Sequence, residues 1–209
     1  MHEKVLTKAA RQLLAALADT GGPALKGWTL AGGTGLALHL GHRVSAAFDF
    51  FRTTAFDREP LHAVVRGLGV YETLQEDPHT LTVLSRGVKL SFFRVPDPFI
   101  FPSVPYSFFR VADVQDIALM KLVAISGRGS RKDFVDLYAM LRRGVRLETC
   151  FADLPRKYPA GRANRYHILK SLTYFADAET EPMPRMLEPC PWRECKAFLI
   201  REARALILP

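Results

Sequence analysis

"LAGGTGLALHLGHRVSAAFDFF", residues 30–51, reads as the end of a strand, a two-glycine turn, a short helix and a second strand. Trp28 to Ala31 is a short buried strand. Gly32 and Gly33 turn the chain, and Thr34 can cap a helix through Leu40. Phe48 to Phe51 is the next strand. Adjacent glycines let the backbone approach a ligand with no Cβ in the way, and the helix behind them presents free N–H groups and a partial positive charge to phosphate. A purely structural turn would also use this pair, so the glycines decide little alone.

The second strand sharpens the question. Residues 47 and 49 share a face about 7 Å apart. Two carboxylates so placed can converge on Mg²⁺, which takes oxygen ligands and completes its shell with water and phosphate. Here the face carries Ala47 and Asp49. An acid flanked by Phe48 and Phe50 is either partnered or part of a site, because burying an unpaired charge is costly. His39 and His42 have no acid or cysteine at ligand spacing and read as structural or surface residues.

Upstream, residues 3–19 form an amphipathic helix with Val5, Leu13, Leu14 and Leu17 on one side, broken at Gly21-Gly22-Pro23. Downstream, Glu59–Leu68 reads as a helix, followed by β segments at 71–75, 81–85 and 88–93, with Arg86-Gly87 as a hairpin turn. Four prolines between 95 and 107 make a stiff connection and the expected domain boundary. Helices are expected at 114–126, 131–142, 163–176 and 191–206. The expected organisation is an α/β core over 1–107 and a mainly helical lobe over 108–209, with a cleft between them.

A chain of 209 residues with 48% hydrophobic content buries a full core without metal or disulfide support. Its net charge of +8 favours polyanionic partners, although many basic proteins bind none. Three cysteines with no C-x-x-C pair argue against a disulfide framework or a four-ligand zinc site and fit a reducing, cytoplasmic setting. No signal segment is evident, and no run approaches the roughly 20 apolar residues of a membrane span.

A second set of polar residues lies in "DVQDIALMKLVAISGRGSRKDFVDLYAML", residues 113–141. Lys121 interrupts an apolar stretch, so its head either snorkels to an edge or reaches an anion. Ser130 and Asp133 resemble a capping box. Phe134, Leu137, Tyr138 and Leu141 make a buried stripe, and Asp136 lies off its centre, one turn beyond Asp133. Arg128, Arg131 and Lys132 form a basic corner that is either solvated or placed for phosphate; Arg162, Arg165 and His167 could extend it.

These two stretches, with "KSLTYFADAETEPMP" at residues 170–184, resemble the AbiEii-type nucleotidyltransferase toxins of the polymerase-β-like superfamily. The resemblance implies a small α/β nucleotidyltransferase core with a mixed sheet and a helical C-terminal lobe. It implies transfer of a nucleotidyl group from an NTP to an RNA, often tRNA, or another hydroxyl acceptor, with Mg²⁺ and a cognate antitoxin as partners. By this likeness Gly32, Gly33, Thr34 and Ser45 belong to the nucleotide site, Asp49 binds metal, and Lys121 meets phosphate. Asp136, with Asp133 beside it, orients Lys121 or the acceptor, and Arg128 and Lys132 assist the nucleotide. The departures are specific. The family's acid–apolar–acid triplet begins here with Ala47, and "VKLSFF" offers Ser91 where a later acid could have pointed. Asp57 or Asp97 could substitute. Alternatively, the chain is a nucleotide- or RNA-binding module whose chemistry has lapsed or been deliberately removed.

Overall fold

In the computed structural model, which describes residues 1–20 and 22–206, the quoted stretch sits at the centre of a seven-stranded mixed sheet. The strands are β1 (Thr29–Leu30), β2 (Phe48–Arg52), β3 (Tyr71–Asp77), β4 (Thr80–Ser85), β5 (Val88–Arg94), β6 (Val104–Tyr106) and β7 (Phe109–Val111). Their spatial order is β3-β4-β5-β2-β1-β7-β6. β2 runs antiparallel to β1 and parallel to β5, with Asp49 opposite Ser91. Arg86 and Gly87 both take positive φ, +51° and +74°, the geometry of the type I′ turn that closes β4 onto β5.

The chain divides into two compact units, Met1–Asp113 and Val114–Pro209. The first holds the sheet with α1 (Lys8–Thr20), α2 (Gly22–Leu25), α3 (Gly32–Leu40) and α4 (Glu59–Gly67). Leu13 and Leu17 of α1 and Leu61 and Val65 of α4 share one core with Phe48, Phe50, Leu90 and Phe92. These sheet residues alternate with Asp49, Phe51, Ser91 and Phe93, which therefore lie on the opposite face. The proline-rich segment carries β6, and β7 pairs parallel with β1, so residues beyond 107 still belong to the sheet. Gly21, part of the expected breaker, lies outside the described residues.

The second unit is helical: α5 (Val114–Arg128), α6 (Arg131–Arg142), α7 (Leu147–Lys157), α8 (Arg165–Ser171), α9 (Ala176–Glu179) and α10 (Trp192–Ala205). The helix expected over 163–176 is instead two short ones, α8 and α9. No helix had been expected at α7, which buries Leu147, Cys150, Phe151 and Leu154 and ties itself to α5 through a buried Lys157–Asp116 ion pair of 2.7 Å. Among the described residues no helix is long and apolar enough to cross a membrane.

Candidate functional site

Two polar centres emerge, one in each unit. In the first, the Ala31 N–H donates to the Asp49 carbonyl at 3.0 Å, which ties the end of β1 to the start of β2. Gly32 then takes φ +62°, and a Cβ there would sit 3.1 Å from Asp49 Oδ2. The glycine is required both by its backbone conformation and by the carboxylate leaning against it. Gly33 meets a different constraint. A Cβ at Gly33 would fall well inside van der Waals contact with Arg43 Nη2, and Arg43 is 5% exposed. A guanidinium thus lies against the second glycine, at the N-terminus of α3.

Thr34 is not the cap of α3. The helix begins at Gly32 with Ala31 as N-cap. The Thr34 hydroxyl donates to the Ala47 carbonyl and shares a 2.7 Å hydrogen bond with Ser45 Oγ. Ser45 is held from the other side by its own N–H, which donates to Val5 O at 2.9 Å. Gly32, Gly33, Thr34, Ser45 and Asp49 therefore form one contiguous elbow. The N–H groups of the first helical positions have no partner within a helix, and those of Gly32, Gly33 and Thr34 meet no acceptor among the described residues. Asp49 is half-buried, and no hydrogen bond or ion pair reaches its carboxylate among the described residues.

Ala47 stands immediately before β2 and offers only its carbonyl. Ser91, the registered neighbour of Asp49, is 1% exposed, and its hydroxyl has no hydrogen-bond partner. Asp57 is exposed, and its carboxylate accepts from the N–H of Glu59, the first residue of α4, at 3.1 Å. Asp97 is half-buried in the segment after β5. His39 Nε2 bonds the Ala112 carbonyl at 2.9 Å, a structural role, and His42 is buried.

The donor set has a clear consequence for metal. Among the described residues no group of three or more His, Cys, Asp or Glu could hold an ion. One carboxylate at the elbow fits Mg²⁺ only as an ion that brings its own water and phosphate oxygens, a mode normal for that cation.

The second centre joins α5 to α6. Lys121 Nζ lies 2.7 Å from Asp133 Oδ1 and 2.6 Å from Asp136 Oδ2. Both acids are fully buried, and Lys121 is 5% exposed. Arg128 donates to Asp133 at 2.7 and 3.1 Å, and Ser130 Oγ adds a 2.8 Å bond. The lysine does not snorkel. Ser130 is the N-cap residue, but its hydroxyl makes no capping bond to the helix because it is turned to the Asp133 carboxylate. Burial opposes charge on Lys121, yet Asp136 and Asp133 outweigh it and hold the ammonium above its ordinary pKa. Burial likewise raises Asp133, but Lys121 and then Arg128 win and bring it down to about 2.

Lys132 is exposed and makes no contact with this cluster. Arg131 is committed elsewhere: its guanidinium donates to the Ala178 and Glu179 carbonyls, and its N–H takes Glu181. The segment 170–184 thus clamps the start of α6. His167 similarly bonds the Ser126 carbonyl at 3.1 Å. Arg43 was missed from the sequence because nothing local distinguishes a buried arginine from a surface one.

In fold the chain is similar to solved nucleotidyltransferases. JHP933 from Helicobacter pylori is 16% identical and superposes with TM-score 0.55 over 95% of this chain and 92% of that one. MenT4, a nucleotidyltransferase toxin from Mycobacterium tuberculosis, is 17% identical with TM-score 0.54 over 93% and 81%. An uncharacterised protein of Aquifex aeolicus is 36% identical over 181 residues, 84% of this chain and 85% of that one. The family model described as nucleotidyl transferase AbiEii toxin, type IV toxin–antitoxin system, matches residues 13–205. The chain belongs to the AbiEii nucleotidyltransferase toxin family.

Proposed function

We propose that this chain is an Mg²⁺-dependent nucleotidyltransferase that moves a nucleotidyl group from an NTP to a hydroxyl of an RNA, tRNA-like in kind, in the cytoplasm and under the control of an antitoxin. The observation that carries the reading is the elbow: three N–H groups without acceptors, the Arg43 guanidinium and the Asp49 carboxylate meet at one glycine pair. The N–H groups of Gly32, Gly33 and Thr34 and the charge of Arg43 seat the phosphates. Ser45 holds Thr34 and with it the elbow's shape. Asp49 holds the cation, which when bound neutralises triphosphate charge and activates the attacking oxygen.

Lys121 is the proposed phosphate ligand of the second unit. An ammonium has three donors, and two are taken by Asp133 and Asp136, so one remains to be directed. Asp136 and Asp133 are positioning residues for it. Arg128, with its side chain 61% exposed, and the exposed Lys132 add charge for triphosphate or RNA backbone.

A second reading has its own observation. Ala47 and Ser91 stand where acids would complete the metal site, so the chain could bind nucleotide or RNA and transfer nothing. Wild type and A47D are given labelled NTPs, Mg²⁺ and total RNA. Label on RNA from both chains supports the enzyme with the ligands it has; label from A47D alone makes this chain a disabled enzyme. If neither transfers label while RNA still binds in a salt-dependent manner, the binding module stands. Failure of NTP and RNA to bind at all removes both readings.

A further inference from the structure

Cys190 and Cys195 bracket the start of α10 at positions that the helix brings together. Pro191 is the N-cap, so Cys190 stands one residue before the cap and Cys195 at the fourth helical position. Side chains at these two positions pack against each other across the first turn of a helix. In this chain both carry sulfur, and each thiol is the other's electrostatic neighbour. The turn is fixed by the Cys195 N–H, which donates to Pro191 O at 3.0 Å. Cys195 is fully buried with its Sγ 3.8 Å from the Phe134 carbonyl of α6. Cys190 is only half-buried and is open to a small reagent. The third cysteine, Cys150, is buried on α7.

We propose that Cys190 and Cys195 are a modification site: they form a reversible intramolecular disulfide, with hydrogen peroxide as the oxidant. The Cys190 thiolate attacks one peroxide oxygen, the O–O bond breaks, and hydroxide leaves to become water, giving a sulfenic acid at Cys190. The Cys195 sulfur then attacks that sulfur; the S–O bond breaks, and the departing hydroxide takes the Cys195 proton as a second water. Two thiols lose two electrons and peroxide gains them. The roles follow from the surroundings. The neighbouring Cys195 sulfur lowers the pKa of Cys190, and a helix start favours a thiolate. The same interaction, with burial, keeps Cys195 a thiol, so Cys190 is the attacking group and Cys195 resolves it. The new bond pulls Cys195 from the Phe134 carbonyl, on the helix that carries Asp133 and Asp136.

The test uses the full chain, reduced and then treated with hydrogen peroxide, quenched, denatured and alkylated with iodoacetamide. Intact mass before alkylation falls by about 2 Da, the two hydrogens lost on disulfide formation. One label, on Cys150, replaces the three taken by the reduced chain. Dithiothreitol restores all three, C150S still forms the bond, and C190S and C195A do not. Peptide mapping of oxidised wild type locates the bond without any variant, so a misfolded C195A leaves the result intact. Mass gained in oxygen at Cys190 with Cys195 still alkylatable overturns the proposal, as does a bond between two chains.

Discussion

Replacing Lys121 by methionine keeps the stem and deletes the charge, which makes it the sharpest probe of the second polar centre. The ammonium is 2.7 and 2.6 Å from two carboxylates that are fully buried. Removing one partner of such an arrangement costs about 3–5 kcal/mol, since it strands charge in a medium that solvates it poorly. Protonation sets a ceiling. A carboxyl of ordinary pKa takes up a proton at pH 7 for about 4 kcal/mol, so K121M should lose about 3–4 kcal/mol at that pH. Asp133 keeps its bonds from Arg128 and Ser130, and the D136N double variant tests whether Asp136 takes the proton. The sign follows: the folded variant binds a proton that its unfolded chain has released, so its stability falls as pH rises from 5 to 7. Near pH 5 the deficit against wild type should shrink by roughly 1.4 kcal/mol for each pH unit. Urea unfolding followed by circular dichroism at pH 5, 6 and 7, on wild type, K121M and K121M/D136N, reads all of this. The double variant should regain part of the loss at pH 7. A deficit below about 1 kcal/mol, or one that does not move with pH, would refute a buried charge balance.

Three further outcomes are expected. In G33A the new Cβ drives into the Arg43 guanidinium. The overpacking costs about 1–3 kcal/mol, and G33A/R43A should lose less than the two single variants summed, by thermal unfolding. Asp133, held at about 2, contributes about 2 kcal/mol of stability above its unfolded value near 4, lost as pH falls through about 2; acid unfolding of wild type and D133N should converge below that point. S91D sets a second carboxylate beside Asp49 in register, so calorimetry should detect Mn²⁺ binding without nucleotide in S91D and not in wild type.

Most of the elements were legible because their patterns were local. Phe48 and Phe50 alternate with Asp49, and Arg86-Gly87 announces its turn. Gly32, Gly33, Thr34, Ser45 and Asp49 of the elbow likewise fall within one stretch of sequence. What escaped depended on distant partners. The helix α7 carries Pro155 within it and closes through Lys157 onto Asp116, 41 residues away. The split of 163–176 follows from Asn164 capping α8 and from the Ala178 and Glu179 carbonyls being given to Arg131. Arg43 matters only through its contact with Gly33, which its residue type does not disclose by itself. Asp133 was weighed as a cap because Ser130 precedes it by three; burial of Lys121 turned that pair to charge balance instead.

The two centres differ in what they leave uncompensated, and this yields the most discriminating prediction for the elbow. Lys121 and Arg128 are matched by Asp133 and Asp136, a cluster of zero net charge. At the elbow, Asp49 leans on a glycine with no cation bonded to it among the described residues. If triphosphate sits on the N–H groups of Gly32 and Gly33, Asp49 repels it unless a cation lies between them. At 5–6 Å and an effective dielectric near 20 that repulsion is about 3 kcal/mol, cut further by salt. D49N should therefore bind a fluorescent ATP analogue more tightly than wild type in EDTA, by about 5- to 150-fold for 1–3 kcal/mol, and more weakly than wild type in Mg²⁺. The reversal of sign separates a metal-bridged phosphate site from a merely basic surface. D49N that shifts affinity in the same direction under both conditions, or in neither, would place the nucleotide elsewhere.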